Sequence, residues 1–462
     1  MRLYNSLTRE VDELVPVEPG HVKIYSCGPT VYRDAHLGNL RTFMLADLIR
    51  RALELEGLQV TQIMNITDVG HMTDEASPEA VDKMLLAVED EDLTPLEIAE
   101  KYTQAVFDDG AAVGIRPADR YPKATEHISE MVELTGELID RGHAYVVDSG
   151  SVYYDVASFP GYGKLSGNTL ENLKPGHRDL ETDTRKHHHA DFALWKAAGP
   201  GRLMKWDSPW GEGFPGWHVE CSAMSMKYLG ERFDIHTGGT DLRFPHHEDE
   251  IAQSEGAVGH PVVSVWVHGG HLRLSGQKIA KSTGNVVMVG DLLERGIDPL
   301  SFRWLAFQTQ YRNEMDFSWT AMETADQRVK QLRRRMAEWA PATPSLGDAA
   351  RGFDARFREA VSNDLHLPGA VAVVNELVSS DVPDGQKYAL LATWDDLLGL
   401  DLEREAKAGW VPTPQIQVLV DERDAARSAK DYEASDRIRE QLTEMGLEVM
   451  DTSDGTRVRP RP

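Results

Sequence analysis

The amino-terminal part of the sequence has the pattern of a strand, a helix and a second strand. The segment HVKIYSCGPTVY, which begins at His21, alternates small and β-branched residues as a buried strand does. Residues 41–56 repeat apolar side chains with helical periodicity, Gly57 is positioned as a carboxyl-terminal cap, and LQVTQIMNI follows as a strand. Because strand, helix and strand form the unit of a parallel sheet, we predict an α/β fold with a Rossmann-like, nucleotide-binding sheet.

The rest of the chain divides into further units. A helix-like and a strand-like segment, followed by a Gly-, Pro- and His-rich stretch, predict an insertion that splits the sheet domain. Apolar patterns then return in HVECSAMSMKYLG, FDIHTGG and VSVWVHGGHL, and the later sequence is mostly helical. At the end we expect one long polar helix from Ile416 to Met445, a short strand and a polar tail. The predicted units are the first sheet half (1–120), the insertion (121–205), the second sheet half (206–268), a region with the motif KIAKS (269–323), a helical bundle (324–405) and a small α/β unit (406–462).

Charge and cysteine usage limit the classes of function. The net charge of −26, from 49 basic and 75 acidic residues, opposes indiscriminate adhesion to nucleic acid, because such adhesion depends on neutralising phosphates. The first residues, MRLYNSLTREVDELVPVEPG, carry charges before any apolar run, which predicts a cytoplasmic protein without a signal peptide or membrane span. Cys27 and Cys221 are the two cysteines of the sequence. In such a chain a disulfide is not expected, and metal binding and plain burial are both open.

Two short motifs point to phosphate chemistry. HLGN, residues 36–39, lies before the first helix, where unpaired backbone N–H groups attract anions and Gly38 allows a ligand close approach. KIAKS, residues 278–282, has two lysines that can meet one polyphosphate from two sides, on a loop that Gly-containing flanks predict to be mobile. Taken alone, each motif is more often an ordinary turn with a solvated basic residue.

A third group of residues could bind a metal ion. Cys27 ends the first strand, Cys221 lies in GWHVECSAMS, and His246 and Glu250 share one face of a helix because they are four residues apart. Two thiolates, an imidazole and a carboxylate form a possible tetrahedral zinc set. Spacing alone favours the alternative of two buried cysteines and an ordinary helical pair, because no CxxC motif is present. The run at residues 187–189 is expected to be a solvated loop, because consecutive histidines point in different directions.

These blocks together resemble the cysteinyl-tRNA synthetase family, and HLGN and KIAKS resemble the HIGH and KMSKS signatures of class I aminoacyl-tRNA synthetases. The family-like blocks are CGPTVY with HLGN, NITDV, DFALWK, SPWGEGFPGWHVECSAMS, FDIHTGGTDLRFPHHEDEIAQSE and KIAKSTGN. Leu37, Asn39, Ile279 and Ala280 depart from the signature letters. The resemblance implies ATP-dependent ligation of L-cysteine to tRNA(Cys) through a cysteinyl-adenylate, with one zinc ion selecting the substrate thiol and Mg²⁺ accompanying ATP.

The resemblance also implies a role for individual residues. The implied zinc ligands are Cys27, Cys221, His246 and Glu250. The implied catalytic residues are His36, Asn39, Lys278 and Lys281. The implied ATP contacts are Pro29, Thr30, His36, Gly38, Asn39, Gly238, Gly239, Asp241 and Lys281. The implied contacts to the amino acid or its adenylate are Thr67, Trp217 and His236.

The resemblance further implies tRNA as the partner. Residues 269–323 would contact the tRNA stem and residues 406–462 would bind the anticodon, although Val458 stands where the family usually has an aromatic residue. The basic segment ADQRVKQLRRRMAEW could face RNA, but an amphipathic bundle face is the simpler interpretation. We expect a monomer. The alternatives are a non-catalytic RNA-binding protein and a related ligase that transfers activated cysteine to an amino-sugar acceptor and lacks the last unit.

Overall fold

The structure is a computed structural model that describes residues 1–70, 88, 91–168, 170, 172, 185–199, 202–274, 277–278, 286–339, 346–407, 414–429, 431–452 and 455–460. The strands are β1 (Arg2–Asn5), β2 (Glu10–Glu13), β3 (His21–Ser26), β4 (Gln59–Met64), β5 (Ala144–Val146), β6 (Val152–Tyr154), β7 (Phe192–Ala197), β8 (Gly213–Pro215), β9 (Phe233–Gly239), β10 (Val263–Gly269), β11 (Leu272–Leu274), β12 (Gln277–Lys278), β13 (Met315–Phe317), β14 (Leu447–Thr452) and β15 (Gly455–Pro460).

The helices follow the same numbering in chain order. They are α1 (Leu37–Leu55), α2 (Pro95–Ala112), α3 (Ile128–Asp140), α4 (Trp217–Leu229), α5 (His246–Val258), α6 (Val289–Glu294), α7 (Ser301–Ala306), α8 (Trp319–Glu338), α9 (Asp348–Ser362), α10 (Leu367–Ser379), α11 (Asp384–Leu398), α12 (Arg404–Lys407), α13 (Pro414–Ser428) and α14 (Tyr432–Glu444). Within the described ranges, no helix is both long enough and apolar enough to cross a bilayer.

A parallel sheet in the order β10-β9-β3-β4 forms the centre of the molecule. Two of its strands come from the first part of the chain and two from a later part, and Ile24 pairs with Ile235 where the halves meet. The predicted Rossmann-like α/β class is therefore confirmed. Because the strands are parallel, the residues that follow β3, β9 and β10 all lie at one edge of the sheet.

Helix α1 connects β3 to β4 and begins earlier than the sequence pattern predicts. His36 is its amino-terminal cap: the His36 side chain accepts a hydrogen bond from the Asn39 amide, and the Asn39 side chain accepts one from the His36 amide. At the other end Gly57 has a φ of +83°, so it takes the left-handed conformation that the predicted helix cap requires.

Between the two halves of the parallel sheet, the chain forms an antiparallel sheet in the order β5-β6-β7-β8. Its buried face, which includes Trp195, shares a hydrophobic core with α3, α4 and α5. This inserted sheet packs against the helices that carry Cys221 and His246 and thereby supports them.

The later part of the chain is helical, with α9, α10 and α11 packed around buried residues such as Phe357 and Trp394. In the last unit, the prediction of a single helix from Ile416 to Met445 is wrong. The chain forms α13 and α14 instead, because Asp431 caps a new helix by accepting a hydrogen bond from the Ala434 amide at 3.0 Å. The predicted polar tail is also wrong, because it forms β15, which pairs with β14 in a hairpin.

Buried charges join α1 to the helical bundle. Arg303 on α7 is fully buried and donates to Asp47 Oδ2 at 2.9 Å and to the Leu398 carbonyl at 2.6 Å. Arg51 donates to Asp47 Oδ1 at 2.8 Å and to the carbonyl of Asp396 at 2.8 Å. Burial lowers the pKa of Arg303 to about 10, and the nearby Asp47 opposes this shift, so the guanidinium stays charged at neutral pH.

We expect Asp47→Ala to lower the free energy of unfolding by about 3–5 kcal/mol, because the substitution leaves Arg303 buried without its counter-charge. The control is Glu137→Ala, which removes the partner of Arg141 in a pair whose side chains are 46% and 47% exposed. Such exposed pairs contribute roughly 0–1 kcal/mol. Equal shifts of the urea midpoint in the two variants would contradict this expectation, because the buried pair would then contribute no more to stability than the exposed pair.

Candidate active site and metal centre

Four potential metal ligands meet at the carboxyl edge of the parallel sheet. Cys27 directly follows β3, Cys221 lies on α4, and His246 and Glu250 lie on successive turns of α5. All four side chains are buried, and their ligand atoms lie within 4.8 Å of one another. The structure thus brings together the four residues that the sequence analysis gives as a possible zinc set.

The distances fit a tetrahedral metal better than a disulfide. The sulfurs of Cys27 and Cys221 are 3.8 Å apart. A disulfide would need about 2.05 Å, whereas two thiolates at about 2.3 Å from a tetrahedral zinc ion lie about 3.8 Å apart. Glu250 Oε1 is 3.7 Å from Cys27 Sγ and 3.0 Å from His246 Nε2. The carboxylate and the imidazole therefore reach the same small volume as the two sulfurs.

A second possible set shares two of these residues. Cys27, His236, His247 and Glu250 also place their ligand atoms within 4.8 Å of one another. This set contains one sulfur, whereas the first contains two, and soft thiolate ligands favour zinc. The donor chemistry therefore favours the set with Cys221 and His246.

Burial and mutual contacts shift the pKa values of the residues in the cluster. Burial, followed by the adjacent Cys221 and Glu250, raises the pKa of the Cys27 thiol well above its usual range. Burial opposes charge on Glu250 as well, but His236 and His246 lower the pKa of this carboxyl to about 2. Burial likewise opposes charge on His246, yet Glu250 and Cys221 raise its pKa to about 10. A divalent cation at the centre would stabilise the anionic forms of the sulfur and carboxylate ligands.

A shell of further histidines surrounds the four residues. His246 Nδ1 is 2.8 Å from His218 Nδ1, and His218 Nε2 is 3.3 Å from Asp249 Oδ2. On the other side, His247 Nε2 is 3.2 Å from Cys27 Sγ, and its Nδ1 is 2.8 Å from His268 Nε2. Such partners orient the ligating atoms.

Two of these histidines, His218 and His268, are not among the predicted site residues, although each has a signal in the sequence. His218 lies three residues before Cys221, which puts both on one face of α4. His268 lies near the carboxyl end of β10, the edge at which parallel strands bind ligands. The solvated loop predicted for residues 187–189 is a turn in which His187 is exposed and stacks on Tyr145.

The residues implied for the amino acid lie beside the cluster. The Trp217 ring centre is 4.4 Å from that of His246. Thr67 donates to Glu220 Oε2 at 2.9 Å and accepts from the Asn65 side chain. His236 Nε2 is 2.8 Å from Glu250 Oε2, and its ring stacks on Trp266, so the structure places it as a partner of the carboxylate.

The residues implied for ATP line the adjacent part of the sheet edge. The Pro29 carbonyl accepts from the Thr67 amide at 3.0 Å, which puts Pro29 and Thr30 next to the amino-acid side of the site. Gly239 leads from β9 to Asp241, whose side chain is 54% exposed. A Cβ at Gly238 would lie 2.6 Å from His247 Cε1. Packing against the His247 ring therefore requires a glycine here, whether or not a ligand also contacts it.

The HLGN motif forms the first turn of α1 next to this edge. His36 Nδ1 accepts from the Asn39 amide at 3.2 Å, so the neutral ring carries its proton on Nε2. A Cβ at Gly38 would lie 2.9 Å from His36 Nδ1, which explains the glycine. Of the KIAKS motif, only the backbone of Lys278, in β12, belongs to the described residues, and Lys281 lies outside them.

Two family profiles match the sequence. The one described as "tRNA synthetases class I (C) catalytic domain" matches residues 13–327. The one described as "Cysteinyl-tRNA ligase anticodon binding domain" matches residues 413–459. The first range contains α1 and the four potential metal ligands, and the second contains α13, α14, β14 and all but the last residue of β15.

Curated relatives are similar over nearly their whole length. The cysteine–tRNA ligase of Thermus thermophilus is 45% identical over an alignment 478 positions long, which covers 99% of this chain and 98% of the relative. That of Salinibacter ruber is 41% identical and covers 98% and 97%. Among solved structures, Mycobacterium tuberculosis methionyl-tRNA synthetase in complex with methionyl-adenylate has a TM-score of 0.54 at 15% identity over 90% of this chain and 96% of that one, which is a likeness of fold.

We expect Gly238→Ala to disturb the cluster, because its new Cβ would overlap the His247 ring. Overpacking of this kind costs about 1–3 kcal/mol. The control is Gly136→Ala on α3, where a Cβ meets nothing within 4 Å and the loss of a helical glycine should stabilise by about 0.5–1 kcal/mol. Thermal unfolding should therefore shift in opposite directions, and a Gly238→Ala midpoint at or above that of the parent would contradict the packing argument.

Proposed function

Because the chain belongs to the cysteine–tRNA ligases, a family of class I aminoacyl-tRNA synthetases, we propose that it joins L-cysteine to tRNA(Cys) through a cysteinyl-adenylate and selects the cysteine thiol with one zinc ion. Ligation of cysteine to tRNA follows from membership of the family. The intermediate, the metal and the residue roles are the proposal. The observation that carries it is the buried cluster of two sulfurs, an imidazole and a carboxylate beside the first turn of α1.

Selection of the amino acid is the reason for a metal at this place. Cysteine and serine differ by one atom, and pocket shape separates such near-isosteres by only about 1–3 kcal/mol. When bound, zinc would bond the substrate sulfur as a thiolate and so prefer it to a hydroxyl. The four residues that would hold the ion are Cys27, Cys221, His246 and Glu250, and His218 and His236 would keep the imidazole and the carboxylate in position. Trp217 would close the pocket wall next to His246.

In the proposed first step, a carboxylate oxygen of cysteine attacks the α-phosphorus of ATP, and the bond to pyrophosphate breaks. Because a carboxylate is already ionised, no general base is needed, and the protein acts by positioning and by stabilising charge. His36 would donate from Nε2 to a phosphate oxygen, with the amino end of α1 attracting the same anion. Lys278 and Lys281 would neutralise charge on the phosphates, and Mg²⁺ would accompany ATP.

In the proposed second step, the terminal 2′-hydroxyl of tRNA attacks the adenylate carbonyl, and AMP leaves. The match of residues 413–459 to an anticodon-binding domain supports the RNA partner. The basic segment on α8 supports it less, because Arg333 is buried against Asp298 and Arg328 donates to Asn375. Val458 pairs with Val449 and packs in the small core of the last unit, so its side chain has a packing role. Monomeric state and cytoplasmic location stay predictions.

The function is tested by cysteine-dependent exchange of pyrophosphate into ATP, followed by charging of tRNA(Cys). We expect both activities. Absence of exchange would refute cysteine activation by this chain. Exchange without charging would favour the amino-sugar ligase, which the match of residues 413–459 and the similarity over nearly the whole chain do not favour.

The ligand set is tested by Cys221→Ser. We expect at least a 10-fold loss of zinc affinity, since even partners of metal ligands contribute about 10–100-fold, and a raised KM for cysteine. The control is Ser225→Ala, a buried change one turn later on α4. Metal content measured by elemental analysis should be unchanged in the control. Metal content at the parent level in Cys221→Ser would refute the ligand set.

A further inference from the structure

Arg41 is a buried cation that the chemistry described above does not use. It lies on α1, two residues after HLGN, and 7% of the residue is exposed. Within the described residues its hydrogen bonds all go to backbone carbonyls: those of Gly270, of His271 at 3.2 Å, of Tyr311 at 3.4 Å and of Asn313 at 2.9 Å. A guanidinium has five donors in a rigid fork, so one Arg side chain can hold several carbonyls at fixed positions.

The four carbonyls belong to two segments that meet beside α1. Gly270 and His271 lead into β11, which pairs with β12, the strand that contains Lys278. Tyr311 and Asn313 lead into β13, which pairs with β11 on its other side. A Cβ at Gly270 would lie 2.3 Å from the Asn313 carbonyl oxygen, so the glycine allows the two segments to approach closely enough for one side chain to span them.

The chain that returns from the KIAKS motif is also attached to α1. The Leu37 amide, in the first turn of the helix, donates to the Val287 carbonyl at 2.9 Å, and Val287 is buried. The segments on both sides of residues 275–285 are therefore fixed to the turn that carries His36 and Asn39. One end is held by the Arg41 side chain and the other by a backbone amide.

From these contacts we infer that Arg41 is a positioning residue, which sets the strands that lead to the KIAKS lysines at a fixed place relative to the HLGN turn. The inference rests on the proposed function, because it gives the two motifs a common phosphate substrate. The four proposed zinc ligands lie at the end of β3 and on α4 and α5, whereas Arg41 donates to the segments before β11 and β13. Arg41 should therefore affect the rate of adenylate formation and leave binding of the cysteine thiol almost unchanged.

The test compares Arg41→Met and Arg41→Lys with Arg51→Met in the full-length protein. Arg51 is a matched control because it is a buried arginine on the same helix that donates to carbonyls, but it faces the bundle. In Arg41→Met we expect the single-turnover rate of adenylate formation, per active site, to fall about 10–100-fold, since a misplacement of 1 Å can cost 10²-fold. The KM for cysteine should change less than about twofold, because that pocket keeps its ligands.

Arg41→Lys should show an intermediate defect, because one ammonium group cannot span four carbonyls in the geometry of the guanidinium fork. Arg51→Met should lower the melting temperature while leaving the rate per active site at the parent value. The inference is overturned if both Arg41 variants keep the parent rate, or if Arg51→Met loses as much rate as Arg41→Met. Should Arg41→Met fail to fold, the Lys variant and its control decide the question in the same way.

A second measurement does not depend on activity. Hydrogen exchange of peptides that cover Leu272–Leu274 and Met315–Phe317 should become faster in the Arg41 variants and stay at the parent rate in Arg51→Met. Unchanged exchange in the Arg41 variants would refute the positioning role. If the parent protein shows no cysteine-dependent exchange of pyrophosphate, the proposed function fails, and the hydrogen-exchange result still decides whether Arg41 holds these strands.

Discussion

The ion pair between Asp47 and Arg303 fixes the parallel sheet relative to the helical bundle. Asp47 belongs to α1, which connects two strands of the sheet, and Arg303 also donates to the carboxyl end of α11. Since both charges are buried, removal of Asp47 leaves Arg303 without its counter-charge, and the two parts are held in one arrangement. The amino end of the same helix carries His36 and Arg41. One helix therefore joins the bundle through Asp47 and carries at its amino end the turn for which phosphate binding is proposed.

The thiol side of the site has a different constraint, the burial of several titratable groups together. Burial, followed by the neighbouring Cys221 and Glu250, raises the pKa of the Cys27 thiol, whereas His236 and His246 lower the pKa of Glu250. The proposed divalent cation would stabilise the anionic forms of the sulfur and carboxylate groups. The inserted sheet and α3 share one hydrophobic core with α4 and α5, so they support the helices that carry Cys221, His246 and Glu250.

Local patterns were reliable where one element determines the outcome. The periodicity of α1 and the glycine at its end predicted a helix that the structure contains, although its start was missed because the reciprocal cap of His36 and Asn39 extends it. In the last unit, a continuous polar pattern across residues 416–445 predicts one helix. The cap at Asp431 divides it, and pairing of Val449 with Val458 makes a strand of residues that appeared as a tail. Both errors arose where a single hydrogen bond or a cross-strand pair outweighs periodicity.

The sequence by itself determined which residue types could bind a metal and that His246 and Glu250 share one helix face. It also contained the two motifs whose family resemblance indicated the reaction. The sequence left the role of the two cysteines open, because the spatial distance between residues 194 positions apart is not defined until the strands pair. Only the tertiary structure decided that β3 lies beside β9, which brings Cys27 within 3.8 Å of Cys221 and surrounds both with His218, His247 and His268. It also decided that Arg41 spans two distant backbone segments. Periodicity specifies which face of an element is buried, whereas contacts between elements depend on sheet order and helix packing, which no local pattern contains.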